Sequence, residues 1–248
     1  MMPAMTLVAG ALAILVAAFV KGAVSFGFPL VATPLLALVV GVKTAVAVSI
    51  IPNIAMDSVQ LMRRGQALAT VRRMLSLIVF SMVGMWLGTR LLVVLPGHIA
   101  SIILGVFVLL FAAVNASGLT LTVSPVWERW LSPPVGLMAG VLGGLTNVPG
   151  TPMVLYFVAL GLDKYEFVRA VAVTFIVVKV VQLAAVAWYG LLDARLLVVS
   201  LAFSVVALAG FAVGARLQDW LPARAFNRAV LAFLVLTGAW LIFRGLAA

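Results

Sequence analysis

The chain has 248 residues, 66% of them apolar and 9% charged, with a formal net charge of +10. An ordinary soluble domain is roughly 25% charged, so a mean hydropathy of +1.31 places this chain in lipid rather than water. Zero cysteines exclude disulfides, thiolate metal sites and cysteine nucleophiles. The basic residues sit at the ends of apolar stretches, not on one polar face, which argues for membrane orientation and against nucleic acid.

Residues 1–20 lack the basic start of a signal peptide and run on into further apolar sequence, so they are expected to be retained. The first half then reads as apolar segments at 5–26, 28–40, 44–62, 74–95 and 98–118. The second reads as 133–146, 149–160, 168–189, 196–217 and 224–243. Most approach the ~20 residues a helix needs to cross hydrocarbon. The short alternating stretches of a barrel are missing. The fold expected is an all-α polytopic membrane protein. One transporter domain covers 1–248, with repeat 1 at about 5–118, a linker at about 119–132 holding Pro125, Glu128 and Arg129, and repeat 2 at about 133–246.

The first two segments of each half are interrupted. Gly22, Gly27, Pro29 and Pro34 break one pair; Gly140, Gly143, Gly144, Pro149, Gly150 and Pro152 break the other. Proline removes a backbone donor and glycine permits unwound geometry. Broken backbone at membrane depth is tolerated only against protein or a water-filled cavity. Segments 28–40 and 149–160 are too short to span comfortably, so each broken pair either returns to the side it entered from or crosses twice.

Two further stretches recur. Thr44-Ala45-Val46-Ala47-Val48-Ser49 returns as Arg169-Ala170-Val171-Ala172-Val173-Thr174. Gly84-x3-Gly88-x-Arg90-Leu91, with Pro96, returns as Gly210-x3-Gly214-x-Arg216-Leu217, with Pro222. The glycine pairs suit close helix packing, and Arg90 and Arg216 suit interfacial anchoring. If the halves are inverted, ten Lys and Arg fall on the cytoplasmic side and four opposite; parallel halves give seven and seven. Positive-inside bias therefore predicts two inverted-topology repeats of five segments in the cell inner membrane, both termini outside. Such repeats mark secondary transporters with alternating access.

The breaks also nominate a site. A helix starting at a break presents free N–H groups and a positive dipole end, which suit an anion. Ser25 and Gly27 stand at the first break; Thr146, Asn147, Gly150 and Thr151 stand at the second. Lys21 and Lys179 are the two intramembrane cations, functional candidates by default unless Lys21 snorkels outward or Lys179 pairs internally. Gln182 lies three residues beyond Lys179 on the same helix face. Asp57 is the one carboxylate well inside a span: either a proton-coupling residue or a structural ion-pair partner of Lys179 or the Arg63/Arg64 end. Asn53, one turn earlier and after the kinking Pro52, is the better candidate for substrate contact.

The Gly-rich break, the Pro-Leu-Leu and Pro-Met-Val continuations, Arg63-Arg64-Gly65 and the Gly-x3-Gly-x-Arg of the fourth segment resemble the sulfite exporter TauE/SafE family. Gly143-Gly-Leu with Pro149-Gly-Thr-Pro152 is similar to that family's second signature. Phe28-Pro29-Leu30 departs from the usual glycine-dense first break. The resemblance implies transport of sulfite, sulfonates or related organic anions, and the partners expected are that small anion, the lipid bilayer and a coupling proton or sodium ion. No cofactor, catalytic residue or metal ligand set is expected. One His98 and six acidic residues make an intramembrane enzyme or a metal carrier the weaker reading. A channel, a cation carrier and a non-transporting assembly factor are the alternatives; homo-oligomerisation is left open.

Overall fold

The computed structural model describes residues 4–62, 67–117, 122–148, 150–217 and 223–247. These form α1 (Ala4–Val24), α2 (Phe28–Val40), α3 (Val42–Met62), α4 (Ala67–Arg73), α5 (Leu75–Val94) and α6 (Gly97–Ser117). Then follow α7 (Pro125–Thr146), α8 (Gly150–Ala159), α9 (Lys164–Trp188), α10 (Ala194–Leu217) and α11 (Ala223–Leu246), with no strand among the described residues. Seven of the helices are long and apolar enough to cross a membrane. With 13 residues, α2 reaches only about 20 Å and falls short of a ~30 Å hydrocarbon core on its own.

Local chemistry sets the ends of these helices. Gly27 takes a φ of 94° immediately before α2, and Pro29 occupies its first turn, where no intrahelical donor is needed. Asn147 ends α7 in the left-handed region at φ 66°, a conformation asparagine tolerates better than most residues. Three departures from the expected segments stand out. The supposed connector at 124–132 is mostly helical, because Ser124 and Pro125 start α7 eight residues ahead of Pro133. α9 starts at Lys164 because the Asp163 carboxylate caps it, accepting from the amides of Tyr165 at 2.7 Å and Glu166 at 2.8 Å. The Arg-rich turn contains the short helix α4. Arg63, Arg64, Gly65, Pro149 and Pro222 lie outside the described residues.

Close packing is built on glycine. A Cβ added to Gly84, Gly88, Gly140 or Gly144 would come within 2.0–2.4 Å of a carbonyl oxygen on the facing helix, so α5 and α7 touch backbone to backbone. Gly22, Gly210 and Gly214 bring α1 and α10 together in the same way, with a Cβ 2.2–2.7 Å from a facing carbonyl oxygen, and Gly105 and Gly245 do so for α6 and α11 at 2.6–2.8 Å. These are the three most extensive helix pairings. Thus the first apolar segment of each half packs against the fourth apolar segment of the other.

The contacts also give direction. Leu15 and Phe19 face Gly210 and Gly214, so α1 and α10 run parallel. Leu77, Ser81 and Met85 face Gly136, Gly140 and Gly144, so α5 and α7 run parallel as well. His98 meets Gly245 while Gly105 meets Gly238, so α6 and α11 run antiparallel. One apolar core is formed mainly by α1, α2, α3, α6, α10 and α11, and a second mainly by α5, α7, α8 and α9. Arg73 of α4 clasps the second, pairing with Glu128 of α7 at 3.1 Å and Glu166 of α9 at 3.7 Å.

Candidate anion site between the two breaks

Lys21 lies in the last turn of α1 with 1% exposure, and does not snorkel outward. Its Nζ donates to Asn53 Oδ1 at 2.7 Å and to Asp57 Oδ1 at 2.5 Å. Asn53 and Asp57, one turn apart, present one face of α3 to α1. Gln60, three residues further, donates from Nε2 to the Ser25 carbonyl at 3.0 Å, so α3 holds the end of α1 by three side chains. Ser25 itself sits at φ 71° and contributes that carbonyl to the junction. Asp57 is therefore the partner of Lys21, not an ion-pair partner of Lys179.

The second half is arranged differently. Lys179 of α9 is fully buried, and its Nζ donates to the Asn147 carbonyl at 3.1 Å, to Asn147 Oδ1 and to Gln182 Oε1 at 2.6 Å. The three-residue spacing of Lys179 and Gln182 thus does bring them together. Gln182 Nε2 donates onward to the Gly143 carbonyl at 3.2 Å. All the oxygens on Lys179 are neutral; among the described residues no carboxylate lies within ion-pair distance of it. Because α3 packs on α9, the buried Lys21–Asp57 pair and the buried Lys179 form one cluster of two ammoniums and one carboxylate across the halves. Inside it, Asn53 Nδ2 and Asp57 Oδ2 are buried without a hydrogen-bond partner among the described residues.

Asn147 joins the two breaks, since its Nδ2 donates to Thr33 Oγ1 of α2 at 2.9 Å. Thr33 was not among the expected site residues, although a hydroxyl beside Pro34 in an otherwise apolar segment marks it. Thr146 stabilises the turn: its hydroxyl donates to the Leu142 carbonyl at 2.6 Å and accepts from the Val148 amide at 3.2 Å. Gly27 lines a cavity with Phe26, Pro29, Leu30, Phe111, Val148 and Phe175. That space is apolar and about 10 Å³, enough for roughly one water. Around the two lysines most of the polar side chains are bonded to one another. Gly150 opens α8, and the side chain of Thr151 lies outside the described residues.

A model of one protein family, sulfite exporter TauE/SafE, matches residues 10–241, from α1 into α11. The chain belongs to that family. No curated protein and no solved structure matches it. Membership in the TauE/SafE family makes the chain a membrane transporter of sulfur anions, and the match takes in both breaks, both buried lysines and the glycines that pack α1 on α10 and α5 on α7.

Proposed function

We propose that this TauE/SafE protein is a secondary transporter that carries a small sulfur-containing or related organic anion, such as sulfite or an organosulfonate, across the cytoplasmic membrane by alternating access. The observation that carries the reading is Lys179, a fully buried ammonium with only neutral oxygens around it. An uncompensated buried charge costs several kcal/mol. A bound anion offsets that cost by displacing the amide oxygens of Asn147 and Gln182. Asn53 Nδ2, a buried donor without an acceptor, supplies a further hydrogen bond beside Lys21. Asp57 is the coupling residue: a proton arriving on it releases Lys21 from its ion pair.

Alternation is assigned to two inverted halves within one domain. Support comes from α6 and α11, which hold matching places in the two halves and run antiparallel. The small apolar cavity and the Asn147–Thr33 bond suit an occluded state. The ten-to-four distribution of Lys and Arg supports termini on the outer face of the inner membrane.

Uptake of radiolabelled sulfite into proteoliposomes tests this. The native chain should show saturable uptake. Lys179→Met should lose roughly tenfold or more, the worth of one charge-assisted hydrogen bond, while eluting from gel filtration as the native protein does. Undiminished uptake by Lys179→Met would sink the assignment.

A further inference from the structure

We propose a second anion site, distinct from the buried lysines: a basic vestibule where α2, α3, α6 and α11 meet, shaped for one small oxyanion group. A cavity of about 280 Å³ opens there, lined by Lys43, Thr44, His98, Ser101 and Arg244, with no carboxylate among the lining residues. It has several times the ~30 Å³ share of a water molecule. Lys43 Nζ is fixed by the Val93 carbonyl at 2.7 Å, and Arg244 Nη1 by the Leu38 carbonyl at 2.7 Å. Each bond uses one donor and holds the cation at the rim with donors to spare.

Backbone adds to this field. The first helical bonds of α3 and α6 run from Ala45 to Gly41 and from Ala100 to Pro96. The amides of 42–44 and 97–99 therefore have no acceptor within their helices, and both positive helix ends border the cavity. The space is open where small residues line it, since a Cβ on Gly41 or Gly97 would meet nothing within 4 Å. Near the other end of α5, a cavity of about 180 Å³ is lined by Arg73, Glu166 and Arg169. There Arg73 already holds Glu128 and Glu166, so the basic charge is spent internally. The Lys43 vestibule has no such acid.

The proposal rests on the anion-transport reading only for the origin of its ligand. The oxyanion is either a solute in transit or the phosphate of a phospholipid headgroup. His98 is the single histidine of the chain, so isotope-labelled histidine gives one imidazole signal at the cavity rim. The full chain in uncharged detergent is titrated with sodium sulfate, with sodium chloride as the ionic-strength control. A saturable shift beyond the control is expected. Lys43→Gln and Arg244→Gln should each weaken the apparent affinity roughly tenfold. Gly97→Leu fills the cavity without altering charge and should block binding. Lys179→Met should leave the His98 response intact even with transport lost, which separates this site from the transport reading. If nanodiscs containing phosphatidylglycerol shift the signal and suppress the sulfate response, the site stands with a lipid as its occupant. If neither sulfate nor phosphatidylglycerol moves the signal beyond the control, or if the double variant Lys43→Gln/Arg244→Gln responds like the native chain, the proposal is overturned.

Discussion

Replacing Asp57 with Asn should destabilise the protein strongly, and removing Lys21 and Asp57 together should recover most of the loss. The two side chains meet at 2.5 Å and are at most 1% exposed. At an effective dielectric of about 20, that separation corresponds to about 7 kcal/mol of gross attraction, much of it offset by desolvating both ions. Asp57→Asn preserves volume and leaves Lys21 an amide to bond, yet strips its only carboxylate. Breaking a buried pair from one side costs about 3–5 kcal/mol. At roughly 2–4 °C per kcal/mol for a chain of this size, the apparent Tm should fall by about 10 °C. Lys21→Met with Asp57→Leu removes both charges and refills the space with apolar atoms, which is close to neutral for such pairs.

Intrinsic fluorescence of the six tryptophans during heating in detergent gives the readout, with gel filtration as the check on assembly. The native chain, Lys21→Met, Asp57→Leu and the double variant complete a cycle, with Asp57→Asn as the volume-preserving single variant beside it. A single variant within about 2 °C of native, or a double variant as unstable as the two singles added, would show that the residues act independently.

Three other outcomes can be measured. Gly140→Val should abolish monodisperse protein, because its Cβ already falls 2.2 Å from the Ser81 carbonyl, whereas Gly97→Ala should stay within about 0.5 kcal/mol of native; equal behaviour of the two would refute the packing argument. Since the chain has no cysteine, single cysteines at Leu68 in α4 and at Ala194, the first residue of α10, can be labelled cleanly. They should react from opposite sides of sealed vesicles, and reaction from one side would end the inverted reading. Gln182→Glu puts a carboxylate where an amide oxygen now lies 2.6 Å from Lys179, and should raise Tm while eliminating sulfite uptake; retained uptake would disprove the role given to the uncompensated charge.

Hydropathy made the long helices legible, and turn chemistry fixed some ends to the residue. The short second segment, 28–40, coincides with α2 because Gly27 and Gly41, both at positive φ, bracket it. The start of α7 was not legible. Glu128, Arg129 and the Pro133–Pro134 pair have the composition of a linker. What gives that stretch its place in the fold is tertiary: Arg73 pairs with the Glu128 carboxylate, and the Tyr156 hydroxyl donates to the Glu128 carbonyl at 2.8 Å. The site shows the same divide. Lys179 with Gln182 follows from helical spacing, and Asn147 from the break. Lys21 meets Asp57 across 36 residues and the intervening α2, a contact no local pattern encodes.

On the inverted-repeat reading the two halves differ by one charge: carrying the alignment of 44–49 with 169–174 along both helices sets position 57 of α3 against position 182 of α9. An acid stands in one half and its amide counterpart in the other, each bonded to a lysine. The cluster therefore holds two ammoniums and one carboxylate. On the proposed mechanism a monovalent anion brings it to neutrality. The empty carrier must reorient with an unbalanced charge in a low-dielectric interior, while the loaded carrier moves without one. That difference favours passage of the occupied form. It also makes Asp57 the natural place for a coupling proton, because protonation there frees Lys21 and restores the demand for an anion.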